Sequence, residues 1–254
     1  MIEFSVKNDI TKTLAKFPWV QGDAIPKLVS NVLNSTAYHT AIKIKEEMPN
    51  AFDKPTPYTQ RAVYAWRGNP TDLNAEVRVR DFAAKGVPAI KFLGPEIYGG
   101  TRGYKASEKA LIAAGILPNG MYIVPANGAP LDQYGNLRGP YMNRIISYLR
   151  ANRDSTQNRS QKGKGRPLQF FAISTHDRLP MGIYERSMGK IRMVIAFVQA
   201  PHYKQRLDYF GIAERFAQGY FPDKLRREAE YLTRTEGAKF SNEAITALGE
   251  ILKG

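Results

Sequence analysis

Apolar residues recur at three- and four-residue steps through Ile25, Leu28, Val29, Val32, Leu33, Ala37, Ala41, Ile42 and Ile44, the signature of one buried helical stripe. Asp23 stands where a cap belongs and the pattern stops near Met48-Pro49, so one long N-terminal helix is predicted over 25–48. A shorter stripe of Ile10, Leu14 and Phe17 behind Asp9 predicts a brief helix over 8–17. The period then changes to two. Segments 61–67 and 73–81 read as strands, the second alternating Val77 and Val79 with Arg78 and Arg80. Gly68-Asn69-Pro70-Thr71-Asp72 between them is turn chemistry, and a β-hairpin follows.

Segment 87–98 is apolar but broken by Pro88 and Pro95, and no element is assigned to it. After the loop Gly99-Gly100-Thr101-Arg102-Gly103, a helix is predicted over 106–114 with Gly115 as its C′ residue. A strand over 121–125 and a hairpin turn over 132–139 come next. Pro140 then opens a helix carrying Met142, Ile145, Ile146 and Leu149. From 150 to 166 apolar periodicity disappears, which predicts an exposed, mobile loop. Strands follow over 168–174, 182–186 and 190–199, the last two joined as a hairpin through Ser187-Met188-Gly189. The last strand is apolar on both faces and is expected in the centre of the sheet. Helical patterning resumes over 206–235, interrupted at Gly219 and Pro222, and a short helix is predicted over 242–252. No internal repeat appears, which argues against a solenoid.

The class is therefore α+β: an antiparallel or mixed sheet packed with one long N-terminal helix and a C-terminal helical region, carrying a long exposed basic loop. The expected organisation is a single structural domain over 1–254 with a flexible insertion at about 150–167. Two small lobes are the other arrangement open to this length.

Composition changes the picture in three ways. Hydrophobic residues at 43% and charged residues at 24% are enough for a packed core and exclude a disordered chain. A net charge of +14 attracts polyanions or acidic protein surfaces. Cysteine is absent, which removes disulfides, thiolate metal sites and a cysteine nucleophile together. The start, Met1 to Ile10, has no basic-then-apolar leader, and no stretch approaches the roughly 20 apolar residues a membrane helix needs. The expectation is a protein made in the cytoplasm with no membrane anchor.

Candidate chemistry is sparse. Arg150, Arg153, Arg159, Lys162, Lys164 and Arg166, against the single acid Asp154, suit contact with DNA phosphates or with a neighbouring subunit. No aromatic residue interleaves them, which argues against base stacking by this loop. The Gly99–Gly103 run lacks a P-loop ending and reads as a structural turn, and Asp132 is too lone a carboxylate for a calcium loop. His176 beside Asp177 invites a catalytic reading, but adjacent strand residues point to opposite faces. His39, His202, Glu46, Glu47 and Glu108 show no metal or paired-carboxylate spacing, so neither cofactor nor metal is expected. Arg215, Tyr220, Phe221, Arg226 and Arg227 combine aromatics with arginine in the C-terminal helical region and are expected at a subunit interface. The other rings of that region, Tyr203, Tyr209, Phe210 and Phe216, are mostly expected in the core.

Taken in order, several segments carry a resemblance. They are the small-residue-rich helix over 25–48, the run Leu93-Gly94-Pro95-Glu96-Ile97-Tyr98-Gly99-Gly100-Thr101-Arg102, and Ser107-Glu108-Lys109-Ala110-Leu111 leading to Gly115-Ile116-Leu117-Pro118. Leu131-Asp132-Gln133-Tyr134-Gly135-Asn136 and Leu179-Pro180-Met181-Gly182-Ile183-Tyr184-Glu185-Arg186 add to it, as does the final strand, proline and Arg-rich helix. The chain resembles the phage minor tail protein Z family, the tail-completion proteins of long-tailed phages, and differs from shorter members in its polar insertion. The resemblance implies a non-enzymatic structural virion protein, a ring-forming homo-oligomer in the tail or neck. It implies contacts with other tail, neck or portal-associated proteins and double-stranded DNA in transit. A DNA-binding protein of a phage or mobile element is the alternative that the charge suggests.

Overall fold

The computed structural model describes residues 2–4, 24–84, 86–158, 169–175, 179–187 and 189–236. The helices expected over 8–17 and 242–252, and the pair His176 and Asp177, lie outside the described residues. In chain order the elements are β1 (Ile2–Phe4), α1 (Ala24–Ala51), α2 (Pro57–Gln60), β2 (Val63–Trp66), β3 (Ala75–Val79), α3 (Ile90–Tyr98), β4 (Gly100–Thr101), α4 (Ala106–Ala113) and β5 (Tyr122–Pro125). They continue with α5 (Gly139–Tyr148), a 3₁₀ turn (Ser155–Gln157), β6 (Phe170–Ile173), β7 (Gly182–Ser187), β8 (Lys190–Val198), β9 (His202–Tyr203) and α6 (Tyr209–Glu236). The fold is α+β with antiparallel sheets.

The chain forms two compact units, 1–97 with 205–254 and 98–204, so the chain passes between them at 97/98 and 204/205 and not at the polar segment. Each has its own hydrophobic core.

In the first unit the sheet order is β1-β3-β2, with Val63 opposite Val79 and Ala65 opposite Val77. The period of two sends these four residues and Ala75 to one face, where they pack on the α1 stripe of Leu28, Val32, Ile44 and Met48. Burying one such side chain stabilises by about 1.5–3 kcal/mol. Ala37 and Ala41 of α1 and Ala213, Leu225 and Ala229 of α6 are buried in the same core. The hairpin turn is tied from two sides. Asn69 Oδ1 accepts from the N–H groups of Thr71 and Asp72, and the Asn34 amide pairs with both N–H and C=O of Gly68 at 2.9 and 3.0 Å. A Cβ on Gly68 would collide with the carbonyl oxygens of Asn74 and Asp72.

In the second unit the order β5-β8-β7-β6 puts β8 between β5 and β7, the central place its two-sided apolarity indicates. A bulge between Ile183 and Tyr184 shifts the β7–β8 register. Ile123, Phe197, Ile195, Ile183 and Phe170 face a core completed by Leu111 of α4 and Met142, Ile145 and Ile146 of α5. Gly115 ends α4 at φ +69°, in the left-handed region that suits glycine. Arg150 occupies the same kind of position after α5 at φ +58°, where a side chain costs about 1 kcal/mol.

Three features differ from the sequence reading. Segment 90–98 is helical despite Pro95, because Leu93 and Ile97 are buried on one side. Helix α6 starts at Tyr209, where Asp208 caps it by accepting from Gly211 N–H, and it runs unbroken through Gly219 and Pro222. The strands β1, β4 and β9 span two or three residues each and are too short to show a period.

Candidate interaction surfaces

The face of β2–β3 that points away from α1 carries Tyr64, Trp66, Glu76 and Arg78, with Arg80 just beyond the strand. Arg78 grips Glu76 through two hydrogen bonds of 2.5 and 2.8 Å and lays its guanidinium 4.4 Å from the Trp66 ring centre. Arg80 sits 5.4 Å from the Tyr64 ring centre. The Arg78 hydrogen bond, ahead of the opposing effect of burial, holds the Glu76 carboxyl below its ordinary pKa. Trp66 is nevertheless 51% exposed, so this ladder of rings and cations remains open to a partner.

Helices α1 and α6 form a second surface. Tyr220 OH lies 3.0 Å from Ser35 Oγ and 3.1 Å from His39 Nδ1, and its ring stacks on His39 at 4.8 Å. Tyr220, expected at a subunit interface, is therefore engaged within the unit, and Phe221 packs against the core. Arg215 pairs with Asp208 and Arg226 with Asp223, each at 3.0 Å, and both stay exposed, as does Arg227. Of the interface set, the cations face solvent and the rings turn inward. Of the remaining rings, Tyr209 is fully buried, its OH donating to Val77 O at 2.9 Å, whereas Phe210 is 39% exposed. A cleft of about 600 Å³ between the end of α1 and the start of α6 has Ala51, Leu207, Ile212 and Phe216 among its walls, with Lys43 and Arg215 beside them.

Nearby, Glu96 Oε2 is buried with no hydrogen-bond partner among the described residues, while Arg206 Nη1 stays 3.9 Å away, a distance of charge proximity without a bond. Burial raises the Glu96 pKa against the pull of Arg206.

In the second unit two buried carboxylates organise the fold, and neither shows in the sequence as anything but an isolated acid. Glu108 receives Arg102 at 2.6 and 2.8 Å and the N–H groups of Lys105 and Ile123 at 2.6 and 3.0 Å. Burial opposes its charge most strongly of any single effect, but these hydrogen bonds together hold its pKa below the ordinary value. Glu185 likewise takes hydrogen bonds from Tyr141, Arg144 and Arg192, which outweigh burial and lower its pKa. Burial first, and the bond to Glu185 second, push Tyr141 up to about 12. These groups brace α4 and α5 against the sheet. Arg102, in the loop read as a structural turn, is thus an anchor, and its neighbours Gly100 and Thr101 pair with Tyr203 and His202.

Of the basic loop, Arg150 and Arg153 are exposed beside the 3₁₀ turn that Asp154 caps. Arg159, Lys162, Lys164 and Arg166 lie outside the described residues. The turn at 132–139 closes as expected, with Asp132 Oδ1 accepting from Tyr134 and Asn136 N–H and an isolated bridge joining Leu131 to Leu137.

The four-stranded sheet ends at β6, whose far side pairs with no strand among the described residues. Arg186 N–H donates to Gln169 O at 2.8 Å, so the alternation of the ladder turns the N–H groups of Phe170 and Ala172 away from β7. Among the described residues no helix is long and apolar enough to cross a membrane, and no group of three His, Cys, Asp or Glu is placed to hold a metal. Comparison of the chain with protein-family models, with curated proteins and with solved structures returns no match.

Proposed function

We propose that this chain is a structural virion protein of a tailed bacteriophage, a tail-completion or neck component. It oligomerises and joins tail to head or terminates the tail tube. Its role is assembly and not catalysis, and its place is the virion tail or neck, reached from the host cytoplasm. The resemblance of its segment order to that of the minor tail protein Z family supports the phage setting. The observation that carries self-assembly is the edge of β6, which pairs with no strand among the described residues and whose outward N–H groups form a template for a strand from another chain. Repeated head to tail, such a heterologous contact closes into a ring when its rotation closes.

Light scattering on the purified full-length chain tests the assembly step. The wild type is expected as a homo-oligomer. Ala172→Pro, which deletes an outward N–H without touching the β6–β7 ladder, is expected as a monomer with unchanged circular dichroism. Mass spectrometry of particles from the encoding phage or prophage tests location, with the chain expected among tail proteins. The alternative, a DNA-binding protein of a mobile element, is favoured by the net charge of +14. A monomer whose duplex affinity falls steeply with salt, and which is missing from particles, would establish that alternative instead.

A further inference from the structure

We propose that the outward face of the β2–β3 hairpin binds single-stranded nucleic acid, with bases stacking on Tyr64 and Trp66 and phosphates meeting Arg80 and its neighbour Arg61. The two rings stand two residues apart on the same face of one strand, about 6.8 Å along it, or two steps of the about 3.4 Å spacing between stacked bases. They are therefore placed for successive bases of a strand stretched to about twice the stacked spacing. Stacking tolerates any sequence, because every base has a π-face.

Arg78 has a different part from the other cations. Its charge is matched by Glu76, so it stiffens the platform by holding Trp66 and offers little to a phosphate. Arg61 and Arg80 are exposed and have no carboxylate partner among the described residues, whereas Arg67 turns to the α1 side, where it lines a cleft with Asn34 and Glu228. Arg61 and Arg80 supply the local excess that selects a polyanion. A duplex hides its ring faces inside the stack, so aromatics on an open sheet face favour unpaired bases. An acidic protein surface would use the same arginines but would not require the planar rings.

Anisotropy of fluorescein-labelled oligothymidylate titrated with the full-length protein tests the proposal. Binding is expected to saturate, to exceed that of a duplex of equal length, and to show a log–log salt slope of about −1.4, two cations at about 0.7 each. Trp66→Leu is expected to weaken it about tenfold or more, Trp66→Phe to retain most of it, and Arg80→Gln to reduce the slope by about 0.7. Arg226→Gln, which removes an exposed charge from α6, is expected to leave it unchanged. Trp66 is half exposed, so these variants keep the fold, which circular dichroism checks. Absence of saturable binding at low salt, equal loss in the Arg226 variant, or equally tight binding of polyglutamate with no effect of Trp66→Leu would each overturn it. The last result would assign the face to an acidic protein partner. None of these outcomes bears on the β6 edge, so this proposal and the assembly reading fail separately.

Discussion

Glu108 accepts four hydrogen bonds and is fully buried, whereas one oxygen of Glu96 is buried with none among the described residues. The two carboxyls therefore shift in opposite directions from the ordinary value of 4.5. A lowered folded-state pKa means that the stability from the Glu108 charge is present above that value and is lost as pH falls through the folded one. A raised pKa means that Glu96 favours folding at low pH and loses that contribution as pH rises through its folded value. Glu108→Leu, which strands the buried Arg102, should cost about 3–5 kcal/mol at neutral pH. Glu96→Gln should stabilise there by about 1 kcal/mol and give little change at about pH 4. Urea denaturation at the two pH values measures both, and a destabilising Glu96→Gln at neutral pH would contradict the unpaired-carboxylate account.

Among the elements, α6 shows tertiary packing overriding local signals. Pro222 removes one donor from the helix interior and costs up to about 3 kcal/mol, yet the helix continues because Leu225 and Ala229 beyond it are buried against α1. Pro222→Ala should therefore stabilise. Gly219→Ala should add about 0.5–1 kcal/mol, since a Cβ there meets no atom within 4 Å. Gly211→Ala should do the opposite, because its Cβ would strike the Asp208 carboxylate that caps the helix and Arg215 beside it. Thermal melts rank the three, and a break at Pro222 would show as no gain from either of the first two changes. The residues of α3 are a shorter case of the same effect, with Leu93 and Ile97 holding helical a segment that Pro95 makes unreadable.

At the scale of the whole molecule, residues 98–204 are contiguous in the chain and enclose their own core of Leu111, Ile145, Phe170, Ile183 and Ile195. Expressed alone, this segment should give a cooperative thermal transition and dispersed amide resonances. A polypeptide that stays unfolded in isolation would support the single-domain reading. The first unit is split in sequence, so its two pieces close a long loop and must meet before its core forms.

The sequence by itself determined the elements whose period is long enough to register: the α1 stripe, the β2–β3 hairpin, α4 with its Gly115 stop, α5 behind Pro140, and the central place of β8. Periodicity works there because burial on one face repeats with the backbone, and turn residues act within a few positions of themselves. Tertiary structure decided what depends on partners distant in the chain. It placed the two-residue strands β4 and β9, which exist only as each other's partner. It carried α6 across Pro222, and it gathered Glu185 with Tyr141 and Arg144 from more than forty positions away. The ladder of Tyr64, Trp66, Arg78 and Arg80 is intermediate: alternation assigned those residues to one face, but only the folded hairpin set ring against guanidinium. Hydrogen bonds and stacking act over a few ångströms of space, and the chain's one-dimensional order does not record which distant residues come that close.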